Sequence, residues 1–229
     1  MPSFWENLRF AGGNPEQAGQ SYDENEGNES QDMVMYVSHP PPAAGADFPA
    51  IIVIQEAFGV TRHIEKVCDR FAQEGYVAIA PALFHREHPN PKLGYGDEDA
   101  RTRNRYMGAL RDDELIDDIN QVIKWTQSRE FFRTNNLKVG IVGYCVGGRI
   151  TYLAATSCPG LSAASCYYPG RTLLPFGDGP APIDITSQIK IPVMGNFGGQ
   201  DANPSPEDMA TIEANFKNGG VTYDFNSYT

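Results

Sequence analysis

The chain predicts an α/β fold, a mostly parallel sheet covered by helices on both faces. Two observations carry that expectation. Short β-branched apolar runs alternate with amphipathic helical stretches, the βαβ rhythm that sets parallel strands beneath crossover helices. The stretch VGIVGYCVGG, at 139–148, passes from a buried-strand pattern through a tight turn into a helical one.

Residues 1–30, most of them in the stretch GGNPEQAGQSYDENEGNES, are polar and lack a sustained period. They read as an N-terminal arm, partly disordered or laid on the surface, ahead of a single domain over 31–229. The alternation at 33–37 predicts an edge strand, and the prolines and glycine of 39–45 a loop. Residues 49–54 are apolar and β-branched, as a strand buried on both faces requires. Helical spacing over 61–74 places Ile64, Val67, Cys68 and Phe71 on one face, with Gly75 as the closing cap. A strand at 76–80 ends at Pro81, and 85–99 is a polar loop.

Residues 101–130 read as one helix whose apolar face is Leu110, Leu115, Ile119, Val122, Ile123 and Trp125. The run 135–142 is the strand entering the turn, and 149–155 the helix leaving it. A strand at 161–168, a proline-rich loop at 173–187, a strand at 191–197 and a helix at 206–218 follow. Residues 221–228 begin one more strand.

Composition sets limits on function. A chain of 229 residues that is 41% hydrophobic suits one α/β domain with a sizeable core. Its net charge of −11 repels phosphate, which argues against nucleic-acid binding. No apolar run approaches the roughly 20 residues a bilayer span needs, and the first residues lack the basic start and apolar core of a secretory signal. Cys68, Cys145, Cys158 and Cys166 form no C-x-x-C pair and no zinc-like spacing. That pattern implies no metal and a reduced, cytoplasmic setting; Cys68, Cys158 and Cys166 read as packing residues.

Cys145 is different. Gly143-Tyr144-Cys145-Val146-Gly147-Gly148 matches the G-x-S-x-G elbow of α/β-hydrolases with sulfur in place of oxygen. A nucleophile at such a strained bend needs neighbours without a Cβ two residues before and after. The helix that follows aims free N–H groups at the sulfur, favouring thiolate and later an oxyanion. Sites in open α/β sheets collect at the carboxyl ends of strands. Gln55-Glu56-Ala57-Phe58-Gly59-Val60, Phe84-His85-Arg86, Cys145 and Gly198-Gly199-Gln200-Asp201 all fall there. A thiol, two carboxylates and an arginine are thus expected along one edge, although Asp201 also suits a helix cap or an Asx turn.

The segments QEAFGV, GYVAIAPALFHRE, KVGIVGYCVGG and GGQD resemble the dienelactone hydrolase family of α/β-hydrolases, in order and in separation, over 49–229. The resemblance implies that Cys145 is the nucleophile, Asp201 the triad acid and Glu56 the carboxylate touching the resting thiol. It implies an oxyanion hole from the backbone N–H groups of Val146 and Ala57, a substrate carboxylate bound by Arg86, and no metal or organic cofactor. Small lactones or esters are the implied substrates. Burial of Glu56 would suit it to accept the thiol proton.

In this family order a histidine follows the acid. The four histidines here are His39, His63, His85 and His88, all upstream of Cys145. The resemblance therefore implies a sequence truncated before its last strand and helix, and inactive as it stands. A catalytically impaired pseudo-hydrolase that binds a small carboxylate, and a thiol-based redox or thioesterase protein, are the alternative functions.

Overall fold

The computed structural model describes residues 1–8, 32–41, 48–128 and 138–229. Among them the strands are β1 (Ser3–Leu8), β2 (Met33–Ser38), β3 (Ala50–Ile54), β4 (Val77–Pro81), β5 (Val139–Tyr144), β6 (Leu161–Tyr167), β7 (Val193–Gly198) and β8 (Tyr223–Tyr228). The helices are α1 (Arg62–Gln73), α2 (Asp97–Ala109), α3 (Asp112–Ser128), α4 (Val146–Ser157) and α5 (Pro206–Asn218). The strands make one sheet in the order β1-β2-β4-β3-β5-β6-β7-β8. Pairing is parallel from β4 through β8 and antiparallel where β1 and β2 join.

Strand alternation sorts the core into two layers. Ile52, Ile54, Ile79 and Ile141 face one way, toward Leu115, Ile119, Ile150 and Phe216 of α3, α4 and α5. Val53, Ala78, Ala80 and Val142 face the other, toward Ile64, Val67 and Cys68 of α1. Both faces are therefore covered, as a parallel sheet requires. From β3 the chain crosses to β4 on one side and later returns to β5 on the other. The carboxyl ends of β3 and β5 flank this switch point, where such sheets open a crevice.

Three expectations change. The 33–37 strand is not an edge: β1 lies outside it, Ser3 to Leu8 running against Ser38 to Met33, and every residue of β2 is buried. The start of the polar arm is thus a strand. Its period was broken because polar Glu6 and Asn7 sit in the buried half of the strand; residues 9–30 of the arm lie outside the described residues. The single helix expected at 101–130 is two, interrupted where Leu110 turns extended (φ −61°, ψ 141°). Arg111 closes the break, its Nη1 donating to the carbonyls of Gly108 and Leu110. The proline-rich loop contains a 3-10 turn, Pro182–Gln188. Parts of the expected 39–45 loop, the end of the 101–130 helix and the lead-in from 135 fall outside the described residues.

Candidate active site

Only Cys145 separates β5 from α4. Its backbone, at φ 58° and ψ −123°, lies in a region that L-residues occupy only when the surroundings force them. The forcing is local. Cys145 N–H donates to Tyr167 O at 3.1 Å, and its own carbonyl accepts from Gly148 N–H at 2.9 Å. A Cβ on Gly143 would meet the Gly147 backbone and Thr151 Oγ1, and one on Gly147 would meet the carbonyl oxygens of Ile54 and Gln55. The glycines two before and two after the sulfur are thus required by close backbone approach, as the elbow reading expects.

The partners arrive from neighbouring strand ends. Gln55 is buried and accepts from Leu83 N–H through Oε1 at 3.1 Å, tying the ends of β3 and β4 together. The next residue, Glu56, bridges to Gly59 and is half-buried, less enclosed than the sequence suggested. Beyond β7, Asp201 Oδ1 accepts from Asn203 N–H at 3.1 Å. That makes an Asx turn; Ser205, not Asp201, caps α5.

Four expected groups act on the sulfur together. The backbone N–H groups of Val146 and Ala57 both hydrogen-bond Cys145, favouring its thiolate, while Glu56 and Asp201 oppose it with negative charge. Burial is the largest influence, and the balance pushes the thiol above its ordinary value. Desolvation and two carboxylates outweigh the two N–H dipoles. Cys145 rests as a thiol.

Arg86 is directed elsewhere. Its Nη1 and Nη2 donate to Asp118 Oδ2 and Oδ1 of α3 at 2.7 and 2.9 Å, and its Nε lies 3.4 Å from Glu114. The fork expected for a substrate carboxylate is thus spent on a fully buried aspartate. His85 joins the same cluster, its Nε2 lying 3.3 Å from Asp118 Oδ2. His88 is exposed, and its Nδ1 accepts from Asn90 N–H.

Tyr168 is a partner that the structure adds to the site. It follows β6 at φ 36°, anchored by its N–H on Asn196 O at 2.7 Å. Its hydroxyl donates to Glu56 Oε1 at 3.3 Å. Burial first, then Glu56, push its phenol well above the ordinary tyrosine value. A local signal existed in the turn after a buried strand, but nothing nearby in sequence names its partner. Among the described residues no group of three or more His, Cys, Asp or Glu side chains could hold a metal ion, and no helix is long and apolar enough to cross a membrane.

Comparisons with known proteins agree with this fold. The chain is 37% identical over 194 residues to a Salmonella typhimurium protein provisionally named a carboxymethylenebutenolidase, covering 81% of this chain and 66% of that one. It is 29% identical over 160 residues to a carboxymethylenebutenolidase of Pseudomonas putida, covering 69% of this chain and 63% of that one. A crystal structure from Klebsiella pneumoniae, provisionally named a dienelactone hydrolase, superposes with a TM-score of 0.75 at 30% identity, covering 88% of this chain and 81% of that one. The chain spans about two thirds of the length of the curated relatives it matches. The model of the dienelactone hydrolase family matches residues 34–229, which include the elbow and both carboxylate-bearing strand ends. This α/β-hydrolase-fold chain belongs to the dienelactone hydrolase family.

Proposed function

We propose that this chain hydrolyses small carboxylic esters and lactones through an acyl-enzyme on Cys145. The observation that carries the reading is the sulfur at a forced backbone bend, with two backbone N–H groups on it and a carboxylate beside it. Sγ attacks the substrate carbonyl carbon as its proton passes to Glu56, and the carbonyl π electrons move onto oxygen. The backbone N–H groups of Val146 and Ala57, which contact the resting sulfur, are the donors assigned to that oxyanion. Collapse breaks the C–O bond, and the leaving alkoxide takes the proton from Glu56; in a lactone the ring opens. Water then attacks the thioester carbonyl as its proton passes to Glu56, and the C–S bond breaks with the departing sulfur taking that proton back.

Arg86 has no part in this scheme, because recognition of a substrate carboxylate would first have to release Asp118. Four free cysteines support a reducing, cytoplasmic setting, and every step uses side chains and water alone. The test is hydrolysis of an aryl acetate and a dienelactone by wild type and Cys145→Ala. Loss of both activities in the variant supports the proposal, and undiminished turnover removes it.

A further inference from the structure

Tyr168 sits at a backbone position that costs free energy for any residue but glycine. It is pinned there by its N–H on Asn196 O and by its carbonyl, which accepts from Gly170 N–H at 2.8 Å. The bond that results reaches 112 residues along the chain, from the tyrosine hydroxyl to Glu56 Oε1. Strain fixed in this way marks a side chain held for a task.

We propose that Tyr168 is a positioning residue for Glu56: its hydroxyl engages the carboxylate beside Cys145, so that the sulfur keeps its proton until substrate arrives. This rests on the acyl-enzyme reading above and adds a control on its first step. An O–H donated to a carboxylate stabilises the ionised state and weakens it as a proton acceptor. The phenol stays a donor because burial and Glu56 itself hold its proton on. Other charged or titratable groups face the cluster: Asp201 acts on Cys145, Tyr144 on Tyr168, and Tyr167 and Arg70 on Tyr144. None of these donates to Glu56 in place of the phenol.

The consequence can be read without any ester. At neutral pH the reactive species is the tautomer with thiolate on Cys145 and the proton on Glu56. Its population rises when the carboxylate becomes a better acceptor. At either pH extreme, where no proton is left to pass between the two groups, the phenol no longer changes the balance between thiol and thiolate.

The experiment is the pH profile of Cys145 alkylation by iodoacetamide, made selective by the burial of Cys68, Cys158 and Cys166. Tyr168→Phe should raise the neutral-pH rate about threefold to tenfold and merge with wild type at both extremes. In a Glu56→Gln background the same substitution should change nothing, since the group it acts through is gone. A Tyr168→Phe profile that superposes on wild type, departs equally at the extremes, or shows the same change without Glu56 overturns the proposal. Should the variant not fold, 3-fluorotyrosine placed at 168 supplies a stronger donor and must lower the neutral rate; an unchanged or higher rate counts against it. Alkylation needs neither ester nor deacylation. Failure of ester hydrolysis with this signature intact would remove the hydrolase reading and leave the positioning role standing.

Discussion

Arg149 and Asp112 form a bidentate ion pair inside the protein, Nη1 to Oδ1 at 2.6 Å and Nη2 to Oδ2 at 3.0 Å. The arginine is wholly buried and lies one turn into α4, the helix that leaves the Cys145 bend. Its Nε and Nη2 also donate to the carbonyls of Arg171 and Leu174, and its guanidinium carbon lies 3.6 Å from the Phe176 ring centroid. One side chain therefore ties the elbow helix, the start of α3 and the loop after Tyr168 into a single unit.

Arg149→Met leaves Asp112 buried without its cation and should cost about 3–5 kcal/mol. Urea unfolding followed by circular dichroism reads the loss. Adding Asp112→Leu should recover part of it, because the stranded carboxylate is removed while the Arg171 and Leu174 carbonyls and the Phe176 N–H stay without their side-chain partners. A double variant as unstable as the single would show that the pair is not the unit acting here.

Gly147→Ala should be destabilised by about 1–3 kcal/mol, the usual cost of forcing extra volume into packed structure. The added Cβ meets the Ile54 and Gln55 carbonyls, the backbone that carries Glu56. Esterase activity should therefore fall further than the stability loss explains. Activity at wild-type level in the folded fraction would contradict this account of the elbow.

Arg86→Ala should cost about 3 kcal/mol, since Asp118 is fully buried and loses both guanidinium bonds. It should alter KM for carboxylate-bearing and neutral esters alike. A rise in KM confined to the anionic substrates would restore the substrate-binding role that the family resemblance implied.

Glu56→Gln removes one of the two negative charges that push the Cys145 thiol upward. Neutralising it stabilises the thiolate, so the main thiolate edge in an alkylation profile should move down by about half to one unit. Asp201→Asn should move the edge in the same direction. An unmoved edge in both variants would mean that burial alone sets the thiol's behaviour, and an upward movement in either would contradict the account.

The elbow was legible in the sequence because its requirement is local. Gly143 and Gly147 flank Cys145 within five positions, and no other residue type fits the backbone approach there. Glu56 and Asp201 were legible through the rule that strand ends share one rim, which places residues without naming their partners. The partners were not legible. Arg86 with Asp118, Arg149 with Asp112 and Tyr168 with Glu56 are pairings between distant segments, chosen by which side chains the sheet brings into reach. The same holds for β1, whose polar Glu6 and Asn7 hide a strand that only pairing with β2 reveals.

Rapid-quench intact-mass analysis during turnover of an aryl acetate, followed by peptide mapping, addresses the acyl-enzyme itself. One acetyl group on the peptide containing Cys145, absent from Cys145→Ala, is the expected result. Continued ester hydrolysis with Cys145 free of acyl groups, or with the acetyl group mapped to another residue, would contradict the account.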